Sequence, residues 1–503
     1  MDIKINRAIY RDKVYACWLG KNIGGTMGTP FEGKAELLDI KGFTSKKGEP
    51  LPNDDLDLQI IWLKAVNEVG AKGLNANILS WYWKKYIPAI WNEYGVGQYN
   101  ASIGFTPPMS GELYNDGWKN SNGAWIRSEI WACLAPGFPN IAAKYAIMEA
   151  SIDHGVSEGT VAEIFTSTLE SIAFVENDLR TVIAKALTYI PEDSRVAKTV
   201  RLVISEFDKG TDWKQTRQLV LEENADLGFF QAPSNIGFVI IGLLYGKGDF
   251  LQSLIYAINC GDDTDCTGAT VGSVLGILGG SAYIPDDLKE YIGDRIITKS
   301  LDISSLWDLP ADCSALTERV VRTMPTFMAE NSSGRPKFDY PTYDRGYFIE
   351  YTDCEDAPFS TAQNLEPNGY TTDFLKKSPL RTEHANHWLT AAVIFDDEPR
   401  ISEGGELTFK VELNNRWFHI HQLNVRVMTP NAWTAQHPRA LTLHHLTCAR
   451  DCNYEWQIIT DNSLSFDVKL TAGEQISAHN KIYIAVESIG LPEPLVIPVT
   501  ILG

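Results

Sequence analysis

The chain has 503 residues, with 44 Lys and Arg against 64 Asp and Glu, a formal charge of −20. With 44% hydrophobic and 21% charged residues it has a globular composition, neither disordered nor fibrous. At roughly 150 residues per domain the length predicts about three domains, and the acid excess argues against a general nucleic-acid binder or an anionic membrane partner.

An anionic small substrate stays compatible with that charge, because a bound metal inverts the local field. Eight cysteines are too sparse for a disulfide scaffold, and none forms a CxxC pair. The N-terminus, MDIKINRAIYRDK, has no apolar signal-peptide region, and no run of about 20 apolar residues exists to span a membrane. The expectation is a soluble cytoplasmic protein. His154 is the only histidine before residue 380, so the first part of the chain holds no His-rich zinc site. A metal there would take oxygen ligands, which suits Mg²⁺, Mn²⁺ or Ca²⁺.

In chain order, Tyr10, Val14, Cys17 and Trp18 keep helical spacing. The Gly-rich stretch Gly24 to Gly33 ends that helix and by itself reads as a turn. Pro52-Asn53-Asp54-Asp55-Leu56-Asp57 follows, and then Leu56, Ile60 and Leu63 continue with helical period. Asn53 is a good N-cap, and acids in a first turn suit the helix dipole. Glycine-rich and proline-rich breaks at Gly104–Gly123 and Gly228–Gly237 flank another helical run containing Val161, Ile164, Phe165, Leu169 and Ile172.

The second acidic cluster, Gly261-Asp262-Asp263-Thr264-Asp265-Cys266-Thr267, lies between the apolar run Leu254–Ile258 and an apolar helix. Three acids between two buried segments do not read as a solvated face; hard divalent cations want several carboxylates at one point. The next helix carries Gly268, Gly272 and Gly276 on one face, each costing about 1 kcal/mol of helix propensity relative to Ala. That cost predicts another backbone packed very close, holding Asp263 and Asp265 rigidly.

Around residues 330–395 the sequence turns polar and aromatic, without helical period. Beyond it Leu407, Phe409, Val411 and Leu413 alternate with polar residues, as do Leu464, Phe466, Val468 and Leu470, and Ile482, Ile484 and Val486. Short alternating strands predict an antiparallel, Ig-like β-sandwich. The predicted organisation is therefore an all-α domain over 1–340, a linker over 341–395 and a β-sandwich over 396–503. Trp417, Trp433 and Trp456 are read as sandwich core ahead of sugar-stacking residues. His444, His445, Cys448 and Cys452 lack the spacing of a zinc module.

Taken together, GGTMGTPFEG, NDDLD and GDDTDCTGATVG resemble, in order and spacing, the motifs of the ADP-ribosylglycohydrolase family over about residues 8–330. The resemblance implies an all-α fold with a two-ion Mg²⁺ or Mn²⁺ centre that hydrolyses the glycosidic bond at the anomeric carbon of ADP-ribose. It assigns Asn53, Asp54, Asp55, Asp263, Asp265 and Cys266 to the metals. It places Glu32, Asn122, Gly123 and His154 against substrate, and gives catalytic roles to Glu32, Asp54 and Asp265. The chain departs from the family pattern in having Asn53 before the acid pair, Leu56 and Asp57 after it, and Cys266 where a hydroxyl ligand is usual. Asp57 and Thr267 are therefore alternative metal contacts. The implied partner is an ADP-ribosyl or related ribosyl group on a small molecule or a modified protein. Three readings compete with a metal-dependent glycosidase: an ADP-ribose-binding protein without turnover, a two-metal phosphohydrolase, and a carbohydrate-recognition protein dominated by its β-module.

Overall fold

The computed structural model describes residues 2–331, 347–357, 359, 362–417, 419–450 and 456–503. Cys452 and most of the polar-aromatic stretch after residue 331 lie outside them, as do the side chains of Cys448 and Trp456. The chain divides into two compact units: Met1–Gly95 with Asn115–Lys376, and Val96–Tyr114 with Lys377–Gly503.

The helices up to the middle of the chain are α1 (Arg7–Gly28), α2 (Asp54–Val69), α3 (Ala76–Tyr86), α4 (Asn92–Ile103), α5 (Met109–Glu112), α6 (Glu129–Leu134), α7 (Pro139–Ala150) and α8 (Glu158–Ala173). They continue with α9 (Leu179–Ala186), α10 (Arg195–Lys209), α11 (Trp213–Glu223), α12 (Ala232–Tyr245), α13 (Phe250–Asn259), α14 (Thr264–Gly279), α15 (Asp286–Ile292), α16 (Cys313–Glu330) and α17 (Tyr370–Leu375). Among the described residues none is long and apolar enough to cross a membrane.

The periodic residues read from the sequence form one core in the first unit. Tyr10, Val14, Cys17 and Trp18 of α1 are fully buried, as are Ile164, Phe165, Leu169 and Ile172 of α8. Asn6 starts α1 by accepting the Ile9 amide at 2.9 Å. A short parallel pair supplements the helices: β1 (Asp2–Asn6) runs alongside β2 (Phe348–Thr352), Ile3 opposite Ile349. Tyr351 of β2 stacks on Tyr10 with ring centroids 6.2 Å apart.

The second unit is a β-sandwich. Its strands are β3 (Arg381–Ala385), β4 (Leu389–Ile394), β5 (Glu406–Asn415), β6 (His421–Met428), β7 (Thr434–Gln436) and β8 (Ala440–Leu443), followed by β9 (Thr447–Arg450), β10 (Trp456–Thr460), β11 (Ser463–Thr471), β12 (His479–Ser488) and β13 (Leu495–Leu502). Antiparallel pairing gives a five-stranded sheet, β3-β4-β5-β11-β7, and a four-stranded sheet, β13-β12-β6-β8; β9 and β10 pair with each other. The alternating runs pair in register: Phe409 faces Val468 and Val411 faces Phe466. Their buried faces share one core with Leu423, Val425, Ile482, Ile484 and Val486 of the other sheet. Trp388 and Trp433 are buried in it, and Trp417 packs against it half-buried. The five-stranded sheet starts at Arg381, inside the stretch expected to be a linker. Residues 96–114 also belong to this unit, with Phe105, Met109 and Leu113 in its core.

Candidate active site

Two glycine rows place the acidic clusters. The predicted row on α14, Gly268, Gly272 and Gly276, meets a matching row on α1. A Cβ on Gly24 would lie 2.0 Å from the Gly268 carbonyl oxygen, one on Gly20 2.1 Å from that of Gly272, and one on Gly28 2.2 Å from that of Thr264. Neither backbone has a flexible side chain to yield, so the axes can approach this closely only without side chains. Gly24–Gly28 are thus the last turn of α1, not a separate turn. The contact fixes the start of α14, where Thr264 Oγ1 donates to the Gly28 carbonyl at 2.9 Å.

The start of α2 is set beside it. Asn53 Oδ1 accepts the Asp55 amide at 2.9 Å, the expected cap. A Cβ on Gly25 would lie 1.9 Å from Asn53 Nδ2, so Gly25 makes room for that side chain. Asp263 occupies the N-cap position of α14 but makes no side-chain cap bond. Its Oδ2 accepts instead from Asn122 Nδ2 at 2.8 Å, and Asn122 Oδ1 in turn accepts the Trp125 indole N–H at 3.1 Å.

A cavity of about 360 Å³ opens here, lined by Glu32, Asp54, Asn122, Gly123, Asp263, Asp265 and Cys266 among others. Among the described residues, two groups of three each present ligand atoms within 4.8 Å of one another: Asp55 with Asp265 and Cys266, and Glu32 with Asp263 and Asp265. Asp265 belongs to both. Asp54 lines the cavity but is in neither group.

Burial pushes the carboxyls of Asp55, Asp263 and Asp265 up; Asp265 adds to it at Asp55 and Asp263, Asp54 adds to it at Asp265, and Lys21 opposes it at Asp55. Glu32 is exposed as a residue, yet desolvation at the cavity, and then Asp265, raise its carboxyl to about 7; Lys299 opposes the shift. Burial drives the Cys266 thiol well up, with Asp263 and Asp55 contributing, and its Sγ lies 3.3 Å from Asp55 Oδ1 as a donor. Lys21 is the buried counter-charge. Its Nζ lies 2.7 Å from Glu129 Oε1, 2.7 Å from the Ile126 carbonyl and 3.8 Å from Asp55 Oδ2. Desolvation works against its charge, but Glu129 and Asp55 outweigh it and raise the Lys21 pKa.

The donor set fits hard divalent cations. Among the described residues Asp263 Oδ1 and Asp265 Oδ1 are buried without a hydrogen-bond partner, and Asp55 Oδ2 has only the Lys21 ammonium 3.8 Å away, which is costly for carboxylates unless a cation or proton meets them. Cys266 is the one soft donor. The two alternative contacts are committed elsewhere. Asp57 Oδ2 accepts the Lys299 and Ser300 amides at 2.5 and 2.7 Å, and Thr267 Oγ1 donates to the Thr264 carbonyl at 3.3 Å. Asp262, with φ 70°, ties loops together: its amide donates to the Lys34 carbonyl at 2.7 Å, and its carboxylate accepts the Phe230 amide.

His154 is not among the residues lining the cavity. It is fully buried, with Nδ1 2.8 Å from Asp153 Oδ1 and Nε2 3.4 Å from Ser121 Oγ. Several lining residues gave no sequence signal: Trp91, Glu93, Tyr94, Phe230 and Lys299. They come from loops and a helix start that carry no motif. The Asp57 tether explains how Lys299 reaches the cavity, but it shows only once α2 and residues 299–300 are folded together.

The ADP-ribosylglycohydrolase family profile matches residues 6–320, the whole stretch that builds this cavity. The chain belongs to the ADP-ribosylglycohydrolase family. The comparison with curated proteins finds no match. Among solved structures, a FixG-related protein from Vibrio parahaemolyticus is 14% identical, over 23% of this chain and 94% of its own, with a TM-score of 0.18. AvmM, which catalyses macrocyclization in alchivemycin A biosynthesis, is 11% identical over 24% of this chain and 96% of its own, with a TM-score of 0.15. At those scores neither likeness carries an argument.

Proposed function

We propose that the helical unit is a divalent-metal-dependent hydrolase that cleaves the glycosidic bond of an ADP-ribosyl or related ribosyl substrate. The observation that carries this reading is the pair of acidic triads sharing Asp265 in one cavity, within a chain of this family. Asp55, Asp263, Asp265 and Cys266 would hold two Mg²⁺ or Mn²⁺ ions, with Asp54 and Asn53 beside them. Metals bound there supply Lewis-acid charge to sugar hydroxyls and to water.

The side chains have their own tasks. Glu32, exposed at the cavity, takes a proton from the attacking water as general base. The carboxylates around the cavity stabilise positive charge that develops on the ribose ring. The Asn122 amide, held by Asp263 and Trp125, and the side-chain-free Gly123 shape the wall against which the substrate sits. The aromatic rings of Trp91 and Phe230 offer apolar surface in the same cavity.

Incubating the chain with ADP-ribosylated substrates, with and without Mg²⁺ or Mn²⁺, tests this reading. Free ADP-ribose should appear only with metal, and Asp263→Asn and Asp54→Asn should each remove most of the rate. Retained metal binding and activity in both variants would refute the proposal. Release of phosphate in place of ribose would identify a phosphohydrolase. One observation favours a binding protein without turnover: Cys266 is bonded to Asp55 as a protonated thiol donor. Tight ADP-ribose binding with no hydrolysis in either metal would establish that alternative.

A further inference from the structure

A chain of buried polar residues, Arg127, Glu149, Asp153 and His154, lies in the helical unit apart from both acidic triads. Arg127 is fully buried; its guanidinium lies 4.5 Å from the Trp83 ring centroid and 5.5 Å from that of Tyr94. Its Nη2 donates to Asp153 Oδ1 at 2.7 Å, and its Nε donates to Glu149. Burial works against the Asp153 charge, but Arg127 and His154 hold its carboxyl below the ordinary range. His154 Nδ1 lies 2.8 Å from Asp153 Oδ1, and its Nε2 lies 3.4 Å from Ser121 Oγ. Ser121 Oγ donates its hydrogen to the Trp118 carbonyl and is also a hydrogen-bond neighbour of Glu93.

Glu93 is where this chain reaches the cavity. It lies in the first turn of α4, lines the cavity and is 5% exposed. It belongs to neither acidic triad. Its Oε2 is buried with no hydrogen-bond partner among the described residues. Gly123 makes room for it, since a Cβ there would lie 2.0 Å from Glu93 Oε1. Burial raises the carboxyl above its ordinary value and Asp153 adds to that, while His154 opposes it.

We infer that Glu93 is the proton donor to the leaving group, and that Ser121 and His154 are positioning residues that orient it. The inference rests on the glycosidase reading above. As the bond from the anomeric carbon to the leaving oxygen or nitrogen breaks, Glu93 gives that atom its proton. Water attacks the anomeric carbon and forms the new C–O bond, and its proton passes to Glu32. Glu32 then gives its proton up to solvent and solvent returns one to Glu93, so the balance is substrate plus water giving ribosyl hydroxyl plus protonated leaving group. The triad aspartates cannot fill this role while they hold cations, and Glu32 is taken up as the base, which leaves Glu93, off α2 and α14, among the lining carboxyls of the described residues to carry the proton.

A leaving group that needs no proton should bypass Glu93. The test compares wild type and Glu93→Gln on two ADP-ribosyl glycosides, one of 4-nitrophenol and one of a simple alkyl alcohol. The expected result is a loss of about 10²–10⁴-fold in kcat on the alkyl glycoside and less than about tenfold on the nitrophenyl one. Ser121→Ala and His154→Gln should show the same selectivity with a smaller loss, which a merely structural role would not produce. Mn²⁺ binding and melting of each variant report its folding; if Glu93→Gln does not fold, Ser121→Ala is read by the same criterion. Equal losses on both substrates, or no loss on either, overturn the assignment while leaving the glycosidase reading intact. A wild-type chain that cleaves neither glycoside overturns that reading and this assignment with it.

Discussion

The Cys266 sulfur lies 3.3 Å from Asp55 Oδ1 and shares a triad with Asp55 and Asp265. Its thiol keeps its proton because burial and the acids around it oppose a second negative charge. Mg²⁺ gains little from such a donor, whereas softer divalent ions gain from sulfur. Replacing it with a hydroxyl should therefore move metal preference more than fold. Cys266→Ser should bind Mg²⁺ more tightly by about tenfold, on the order of 1.4 kcal/mol, and Cd²⁺ more weakly. Competition calorimetry with the two ions checks both directions at once. Unchanged preference would mean that sulfur does not reach the metal.

At the scale of elements, the α1–α14 contact decides whether the acids meet. A methyl at Gly272 would sit 2.1 Å from the Gly20 carbonyl oxygen, so the helices must separate or the strain stays. Gly272→Ala should cost about 3 kcal/mol, the upper part of the overpacking range. It should also weaken metal binding, because Asp263 and Asp265 move with α14. Gly117→Ala is the control: nothing lies within 4 Å of a Cβ there, and chemical denaturation should register almost no change. The α14 row was legible because three glycines on an otherwise apolar helix need a reason. Its partner was not: Gly24 and Gly25 adjoin Thr26, Gly28 and Pro30, and such clusters usually mark turns, so helix α1 reads as ending early. The acid pairs were legible from local order, and Asn53 as a cap from its neighbours. Glu93 and Lys299 were invisible, because a single charged residue acquires meaning only from the distant segments that fold against it.

At the scale of the whole molecule, the two units should respond to different conditions. Burial, with Lys481 adding, lowers the His384 imidazole in β3 to about 4. An unfolded histidine titrates near 6.5. Between those values the unfolded chain takes up a proton and the folded sandwich does not, so this contribution is complete above about pH 6.5 and is lost as pH falls toward 4. The loss by pH 5 should be about 1 kcal/mol for this half-buried group, and His384→Gln should flatten it. Calorimetric melting of both proteins at pH 7 and pH 5 reads the difference. Saturating Mn²⁺, at about 100 times its Kd, should instead raise the stability of the helical unit by about 2.7 kcal/mol.

Cutting the chain between the helices and the sandwich looks simple from the sequence, where strand alternation starts after residue 395. Residues 96–114 make it otherwise, since Phe105, Met109 and Leu113 are 3%, 2% and 7% exposed within the sandwich core. Asn100, itself fully buried, holds this excursion by donating to the Ser110 and Leu113 carbonyls at 2.8 and 2.7 Å. A chain ending at residue 376 keeps the excursion but loses every strand it packs on. Three large apolar side chains then meet water, at about 2 kcal/mol each, and form an adhesive patch. That shortened chain should aggregate. Changing Phe105, Met109 and Leu113 together to Ser should restore its solubility, whereas the same triple change in the intact chain should destabilise the sandwich by several kcal/mol. Light scattering of the shortened chain and calorimetry of the full one test the two signs together. A soluble 1–376 chain with Phe105, Met109 and Leu113 unchanged would show that this segment does not depend on the sandwich.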